Sequence, residues 1–484
     1  MKKQGIATVD LGASGGRVSI LARGGDGMSL EAVHEFNHPV HVLSQRNADG
    51  LAVRRYWNPG VIYENILAGL RAVPGDVELA SVGVNGWGSD GVWLDRDGCL
   101  LGLPSQGRET RWIDANREIE AVISDRERFR LTGVRNEPFC PVNLLHWCAR
   151  HNPRLVELAE TFLPMPALFN YWLCGEKTAE RTWIGAGQLM GLDGAYSAEI
   201  FGKLELPLGK MPPVIAPGTT LGPLHPLAAE ATGQAGCLVT VPAQHDTACA
   251  FAAARALAGA DDDTLVISAG TWWLSGVELP DAVTDDAAYD AALTNVPGDS
   301  GWILHHIGFG SWPAQELRRQ WSLEDAKTMS WDEFNRLALS DSGDAPVIDT
   351  NDARLLSPEN MSRALCDCAG ASSAGRPRLA RLVYDGLVAT TAKLVDNLAA
   401  ASGRRAGRIL IIGGGARNDA LSQRLADAVG IEVLAALPNA TTAGSALIQA
   451  RALGWIDSLA DAAGSLPLAA MRVFRSGGNG PEAV

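Results

Sequence analysis

Positive charge is in short supply. The 484-residue chain carries 41 lysines and arginines against 55 aspartates and glutamates, a formal net charge of −14. A nucleic-acid backbone is bound by cations that neutralise its phosphates, so this balance argues against nucleic acid as a partner. Long apolar runs are missing too, since nothing approaches the ~20 apolar residues of a membrane helix. Met1-Lys2-Lys3 leads into only a four-residue apolar run, Ile6 to Val9, too short for a secretory signal. The expectation is a cytoplasmic protein without a membrane role. The eight cysteines show no metal-ligand spacing: Cys366-x-Cys368 has no nearby histidine or second pair, which excludes a zinc finger. Most of the others stand singly among apolar neighbours, where a thiol serves as a small buried hydrophobe. There is no G-x-x-x-x-G-K-[ST] loop, no H-E-x-x-H and no G-x-S-x-G.

Glycine, by contrast, is abundant. The chain has 53, more than the ~7% usual in globular proteins, and glycine serves tight turns and close approaches of backbone to ligand. At ~150 residues per domain the length suggests two or three domains. Ile6 to Val9 and Arg17 to Ala22 read as strands around the turn Leu11-Gly12-Ala13-Ser14-Gly15-Gly16, with a third strand from Leu30 to Phe36. Asn58 is placed to cap a helix carrying Ile62, Ile66 and Leu70 on one face. Leu79 to Val84 is a further strand, and Val92 to Leu94 with the turn Asp95-Arg96-Asp97-Gly98 reads as a hairpin. Residues 105–215 are mainly helical and end in a Pro/Gly-rich loop, Pro207 to Pro223. The opening pattern then returns: strand Thr264 to Ile267, turn Ser268-Ala269-Gly270-Thr271, strand Trp272 to Val277. A long helix near 380–400, a strand at 408–412, a helix near 419–429, a strand at 432–436 and a helix near 442–453 complete the chain. Two α/β halves of this kind face each other across a cleft, and the division falls at residues 1–249 and 250–484.

Five motifs carry chemistry. Asp10, Gly12, Ala13, Ser14, Gly15, Gly16 and Arg17 form a turn whose small residues admit a phosphate to the backbone N–H groups. Asp10, at a strand end, suits Mg²⁺ held through water; the alternative is an ordinary Gly-rich hairpin. Gly270 and Thr271 repeat that turn in the second half. Gly413, Gly414 and Gly415 follow a strand, ahead of Asn418 and a helix, and suit either a flat ligand or a tight strand-to-helix turn. Asp246, in Gln244-His245-Asp246-Thr247, is either a base for a substrate hydroxyl or a cap for the Ala-rich helix behind it. Trp87, Gly88 and Asp90 suit a sugar, which stacks on an indole and hydrogen-bonds to carboxylates, although tryptophan is more often core.

As an ordered set these motifs resemble the FGGY carbohydrate kinases, within them most closely the rhamnulokinase branch, over nearly the whole chain. Phe139-x-Pro141 and Leu145-x-Trp147 are similar to a family signature, with Leu144 where a lysine is usual. Gly310-x-Trp312-x-x-Gln315 is similar to a stretch near the nucleotide. The resemblance implies an α/β, duplicated actin/hexokinase-like (ribonuclease H-like) fold with ATP and Mg²⁺ in the interdomain cleft. It implies Asp246 as general base and Asp10 near the metal. Thr271, Gln315, Gly414 and Asn418 would line the nucleotide, and Trp87, Gly88, His245, Thr247 and Asn295 the sugar. It further implies transfer of a phosphoryl group to a ketose such as rhamnulose, fuculose or xylulose, and homo-oligomerisation stays open. Two segments depart from the family pattern. Arg181-Thr182-Trp183-Ile184-Gly185-Ala186-Gly187 stands where small polar residues are usual, with Trp183 placed to fill part of the sugar pocket. Val296-Pro297-Gly298 stands where an acidic residue and glycine are usual. These departures also motivate a second reading, a sugar- or nucleotide-binding sensor without turnover.

Overall fold

The structure is a computed structural model. It describes the chain apart from residues 1, 26, 48–49, 108, 259–262, 437, 465–470, 479 and 484. Each half is built on the same five-strand arrangement. In the first, Lys3–Leu11 pairs antiparallel with Gly15–Gly24, which pairs antiparallel with Gly27–Asn37. On the other side Lys3–Leu11 runs parallel to Val77–Gly86, which runs parallel to Leu238–Thr240. In the second half Thr264–Ala269 pairs antiparallel with Trp272–Leu279, and that strand with Trp302–Phe309. Thr264–Ala269 then runs parallel to Arg408–Ile412, and that strand parallel to Glu432–Ala435. The repeat expected from the two strand–turn–strand openings is therefore a repeat of topology. The central strands are buried on both faces, so they read as continuous apolar runs, as parallel strands covered by helices do.

Each fifth strand leads into a helix, Asp246–Ala258 in the first half and Ala440–Ala452 in the second. The two helices pack on each other at very short range. A Cβ added to Gly444 would lie 1.7 Å from the Cys249 carbonyl oxygen, so only glycine permits this approach. Both helices are rich in alanine and their apolar residues share one buried cluster with strands of both sheets. The expected division at 249/250 falls inside the first of these helices.

The helical middle segment forms its own apolar cluster, with Trp112, Leu145, Phe162 and Trp183 among its members. Two details differ from the sequence reading. Gly91–Leu94 pairs with Thr161–Pro164, Val92 opposite Leu163. The turn after Leu94 forms as expected, with Gly98 N–H donating to Asp95 O at 3.0 Å and Leu101 N–H to Trp93 O at 2.9 Å, but the longer pairing of Val92 and Trp93 is with the inserted segment. Residues His41–Asn47 and Gly50–Tyr56 form a two-stranded ribbon that the sequence reading does not contain. Among the described residues no helix is long and apolar enough to cross a membrane.

The helix pair gives a test. Gly444→Ala forces the helices apart and should cost about 1–3 kcal/mol of stability, the usual penalty for overpacking a close-packed contact. Thermal unfolding measures it, and an unchanged melting temperature would show that the helices can separate freely.

Candidate active site

Asp10 ends the first strand, level with Asn85 on the parallel neighbour and Arg17 on the antiparallel one. Its Oδ1 accepts from Asn85 Nδ2 at 3.0 Å, and its Oδ2 accepts from the Thr442 hydroxyl at 3.1 Å. Thr442 belongs to the second half, so the carboxylate bridges the two. The loop after it closes with Gly12 N–H donating to Gly15 O at 2.8 Å. Its glycines are dictated by the neighbouring strand: a Cβ at Gly15 would sit 2.6 Å from Phe36 O, and one at Gly16 2.4 Å from the Phe36 ring. Ala13 and Ser14 are left exposed at the tip. Arg17 donates to Glu35 at 2.7 Å and across the halves to Asn439 Oδ1 at 2.8 Å. These groups, with Ser268 and Gly413 of the other half, line a cavity of about 550 Å³.

Asp246 is the first residue of its helix. Its Oδ1 accepts from the Thr247 N–H at 2.7 Å and from the Thr247 hydroxyl at 3.4 Å. It is thus the first helical residue rather than the cap ahead of the helix, and it bonds the adjacent N–H. Its side chain is 37% exposed, and the rest of its surroundings are protein. That surround pushes its carboxyl up to about 6. Asp10 is likewise pushed up to about 6, first by burial and then by the negative charge of Asp246 nearby. His245 Nε2 lies 3.5 Å from Asp246 Oδ1. Burial takes that imidazole down to about 4, so near neutral pH it is uncharged and offers Asp246 no counter-charge.

On the sugar side, a Cβ at Gly88 would lie 2.7 Å from the His245 ring, which brings the Trp87-Gly88 turn onto the base loop. Asp90 behaves differently from its expected role as a sugar acceptor. It is buried, and its Oδ2 accepts from two indoles, Trp57 at 2.7 Å and Trp87 at 3.0 Å. Burial pushes its carboxyl up to about 7. Asp90 therefore orients Trp87 and occupies its N–H. Trp87 also stacks against Trp57 and His38, with centroids 4.7 and 5.5 Å away. Trp183 is fully buried and donates to Trp87 O at 3.2 Å, so it supports the Trp87-Gly88 turn. Asn295 is fully buried as well. Its amide donates to Gly133 O and Val283 O, both at 2.8 Å, and its Oδ1 accepts from Val283 N–H at 2.9 Å. All its polar atoms are spent on backbone, and it ties the inserted segment to the second half.

On the side expected to take the nucleotide, the Thr271 hydroxyl donates to Gln315 Oε1 at 3.2 Å. Gly270 O accepts from Ser311 N–H and its hydroxyl at 3.1 and 2.6 Å. Gly413 has φ +82°, and a Cβ at Gly415 would meet Ala269 Cβ at 2.5 Å, whereas one at Gly414 would meet nothing within 4 Å. Two of these glycines thus serve packing, and Gly414 alone faces open space. Asn418 caps the Asp419–Val429 helix through Leu421 N–H at 3.2 Å and donates to the Tyr384 hydroxyl at 2.8 Å. Sequence reasoning missed Thr442, Asn439, Glu35, Trp57 and His38. Asn439 and Thr442 could have been found from the duplication, because they occupy the helix start that answers to Asp246.

If Asp246 is the base, its carboxyl sets a pH limit. A group raised to about 6 becomes protonated as pH falls through that value, and a protonated carboxyl cannot accept a proton. Turnover should fall about tenfold for each pH unit below 6. A pH–rate profile flat down to pH 5 would contradict this.

Comparisons with known proteins give the chain a family. Residues 6–252 match the N-terminal domain model of the FGGY family of carbohydrate kinases, and residues 265–453 match its C-terminal domain model. A rhamnulokinase from Bacteroides thetaiotaomicron is 30% identical over 93% of this chain and 91% of its own length. One from Klebsiella pneumoniae is 30% identical over 94% of this chain and 90% of its own length. Among solved structures, a ligand-bound xylulose kinase from Lactobacillus acidophilus superposes with a TM-score of 0.77 at 15% identity, covering 98% of this chain and 94% of that one. A glycerol kinase from Plasmodium falciparum with ADP gives 0.77 at 14% identity, with 98% and 94% covered. With both domain models matched in order along one duplicated fold, the chain belongs to the FGGY family of carbohydrate kinases.

Proposed function

We propose that the protein transfers the γ-phosphoryl group of ATP to a hydroxyl of a small ketose such as rhamnulose, fuculose or xylulose, with Asp246 as the base. One observation carries the reading. The carboxylate at the start of one paired helix stands beside Asp10, which is itself hydrogen-bonded to Thr442 on the other helix. The first phosphate turn opens into the same cavity as residues of the second half.

In this reading Asp246 accepts the proton of the attacking hydroxyl as its oxygen bonds to the γ-phosphorus and the bridging P–O bond to ADP breaks. Phosphoryl transfer needs little covalent help from the protein, so positioning and charge neutralisation dominate. The backbone N–H groups of Ala13 and Ser14 at the exposed tip of the turn, the Ser14 hydroxyl and Arg17 receive phosphate oxygens. Thr271 and Gln315 border the nucleotide, and the open space at Gly414 suits the flat adenosine. The Trp87 face and His245 receive the sugar. Asp10 and Asp246, close enough to repel each other, fit a divalent cation, and Asp10 would hold Mg²⁺ through water, as that ion prefers. When bound, Mg²⁺ neutralises the phosphate charge. The sugar side falls to residues 1–249 and the nucleotide side to 250–484, in a cytoplasmic enzyme.

The departures at 181–187 and 296–298 meet each other in space. Arg181 donates to Gly298 O at 3.0 Å and Asp299 O at 2.7 Å. A Cβ at Gly185 would lie 2.3 Å from Pro297. They thus form a contact between the halves, and their change leaves Asp246 and both phosphate turns in place, which favours the kinase over the sensor.

Coupled ADP release across a panel of ketoses, aldoses and polyols tests the reading. At least one sugar should stimulate release, and sugar binding by calorimetry without turnover on any would favour the sensor. Asp246→Asn should cut kcat at least about 100-fold, the scale of a general base, and leave ATP affinity nearly unchanged. Retained turnover would remove Asp246 from the mechanism. Chelating Mg²⁺ should weaken ATP binding at least about tenfold, because the acidic cleft then meets an uncompensated polyanion. Equal affinity with and without the metal would overturn the electrostatic account.

A further inference from the structure

Glu180 lies outside the chemistry described so far. It ends the short strand Ala179–Glu180, precedes the Arg181–Ala186 helix and is 0% exposed. Its Oε1 accepts from Thr182 N–H at 2.9 Å. Its Oε2 accepts from the Thr182 hydroxyl at 2.5 Å and from Gln244 N–H at 2.8 Å. Gln244 returns a bond, its Oε1 accepting from Glu180 N–H at 3.3 Å. The Thr182 hydroxyl, having given its proton to Glu180, accepts from His245 N–H at 3.2 Å. The two backbone N–H groups that immediately precede Asp246 therefore both end on this one network. From the other side, Gly86 N–H donates to Gln244 O at 3.0 Å. The neighbouring Arg181 guanidinium is directed away from the carboxylate, to Gly298 O and Asp299 O.

Burying a carboxylate without a bonded counter-ion is costly and is sustained only when its lone pairs are fully used. Here every bond it makes fixes either the base loop or the residue that relays to it. We infer that Glu180 is a positioning residue for the base, fixing the Gln244–His245 backbone directly and through the Thr182 hydroxyl so that Asp246 is held in register with the substrate hydroxyl. The inference rests on Asp246 being the base. It also explains one residue of the departing segment 181–187, whose second position is the relay. A hydroxyl is required at position 182 because the same oxygen must donate to Glu180 and accept from His245.

The test uses the full chain, ATP, Mg²⁺ and a sugar that supports turnover. Thr182→Val keeps the side-chain shape and removes the relay. It should lower kcat about 10- to 100-fold, the scale of a small misplacement of a reacting group, with KM for ATP unchanged within about twofold. Thr182→Ser restores the hydroxyl and should recover most of that kcat. Glu180→Gln, which replaces an acceptor with a donor, gives a second measurement in case Thr182→Val does not fold, and should show the same kcat-specific loss. Wild-type kcat in Thr182→Val or Glu180→Gln, a matching rise in KM for ATP, or a Thr182→Ser enzyme as slow as Thr182→Val would overturn the inference. Asp246→Asn run beside them separates the two claims. If it stays active, the base is wrong whatever Thr182 does; if it is dead while Thr182→Val is unimpaired, only the positioning role fails.

Discussion

The structure depends on one close contact, the crossing of the Asp246–Ala258 and Ala440–Ala452 helices where Gly444 meets the Cys249 carbonyl. Each helix follows the fifth strand of its half, so the crossing is where the two copies of the fold touch. Alanine and glycine line it because larger side chains would hold the backbones apart. The approach sets where the helix starts lie. Asp246 opens one helix, Asn439 immediately precedes the other without a capping bond, and Thr442 lies in that helix's first turn. From there Thr442 reaches Asp10, and Asn439 reaches Arg17, both of the opposite half. Packing of small residues thus fixes the polar geometry of the cleft.

Charge is the second constraint. A chain of net charge −14 must receive an anionic nucleotide beside two carboxylates. The neutral His245 adds no positive charge, and Arg17 is already shared between Glu35 and Asn439. Arg17 must then divide its charge between these partners and the phosphates, and the field of backbone N–H groups in the glycine turns and at the helix starts adds to what it and the metal supply. The raised carboxyl of Asp10 reflects the same shortage, since Asn85 and Thr442 only partly offset burial and the charge of Asp246.

Much of the fold was legible because its signals are local. Glycine turns flanked by apolar strands occur twice, and both mark the same topological position. The helix capped by Asn58 and the strand–Gly–helix unit at 408–429 follow from cap residues and periodicity. The ribbon at 41–56 was not legible because its pattern runs against the rule. Val42, Leu43, Leu51 and Val53 are exposed, so apolar alternation does not point to a core there. The pairing of Gly91–Leu94 with Thr161–Pro164 was hidden for another reason: the partner lies far along the chain, beyond several helices, and no turn signal spans that distance.

The site was legible in its residues but not in their division of labour. Asp10, Asp90, Glu180 and Asp246 all stand beside small or aromatic residues in the sequence, and burial raises all four carboxyls. Their partners separate them. Asp90 is buried among the fixed donors Trp57, Trp87 and the Gly107 backbone, and Glu180 between Thr182 and Gln244, so neither is free to take up a substrate proton. Asp10 takes one side-chain bond on each oxygen. Asp246 holds its donors on Oδ1, and its side chain remains reachable from the cleft. A carboxylate saturated by rigid donors orders its neighbours, and one left unsaturated at a cleft can take part in a reaction. A linear sequence does not carry that distinction. Trp57 stands 33 residues from Asp90, and Gln244 stands 64 residues from Glu180, so the donors that saturate these two carboxylates reach them only through the fold.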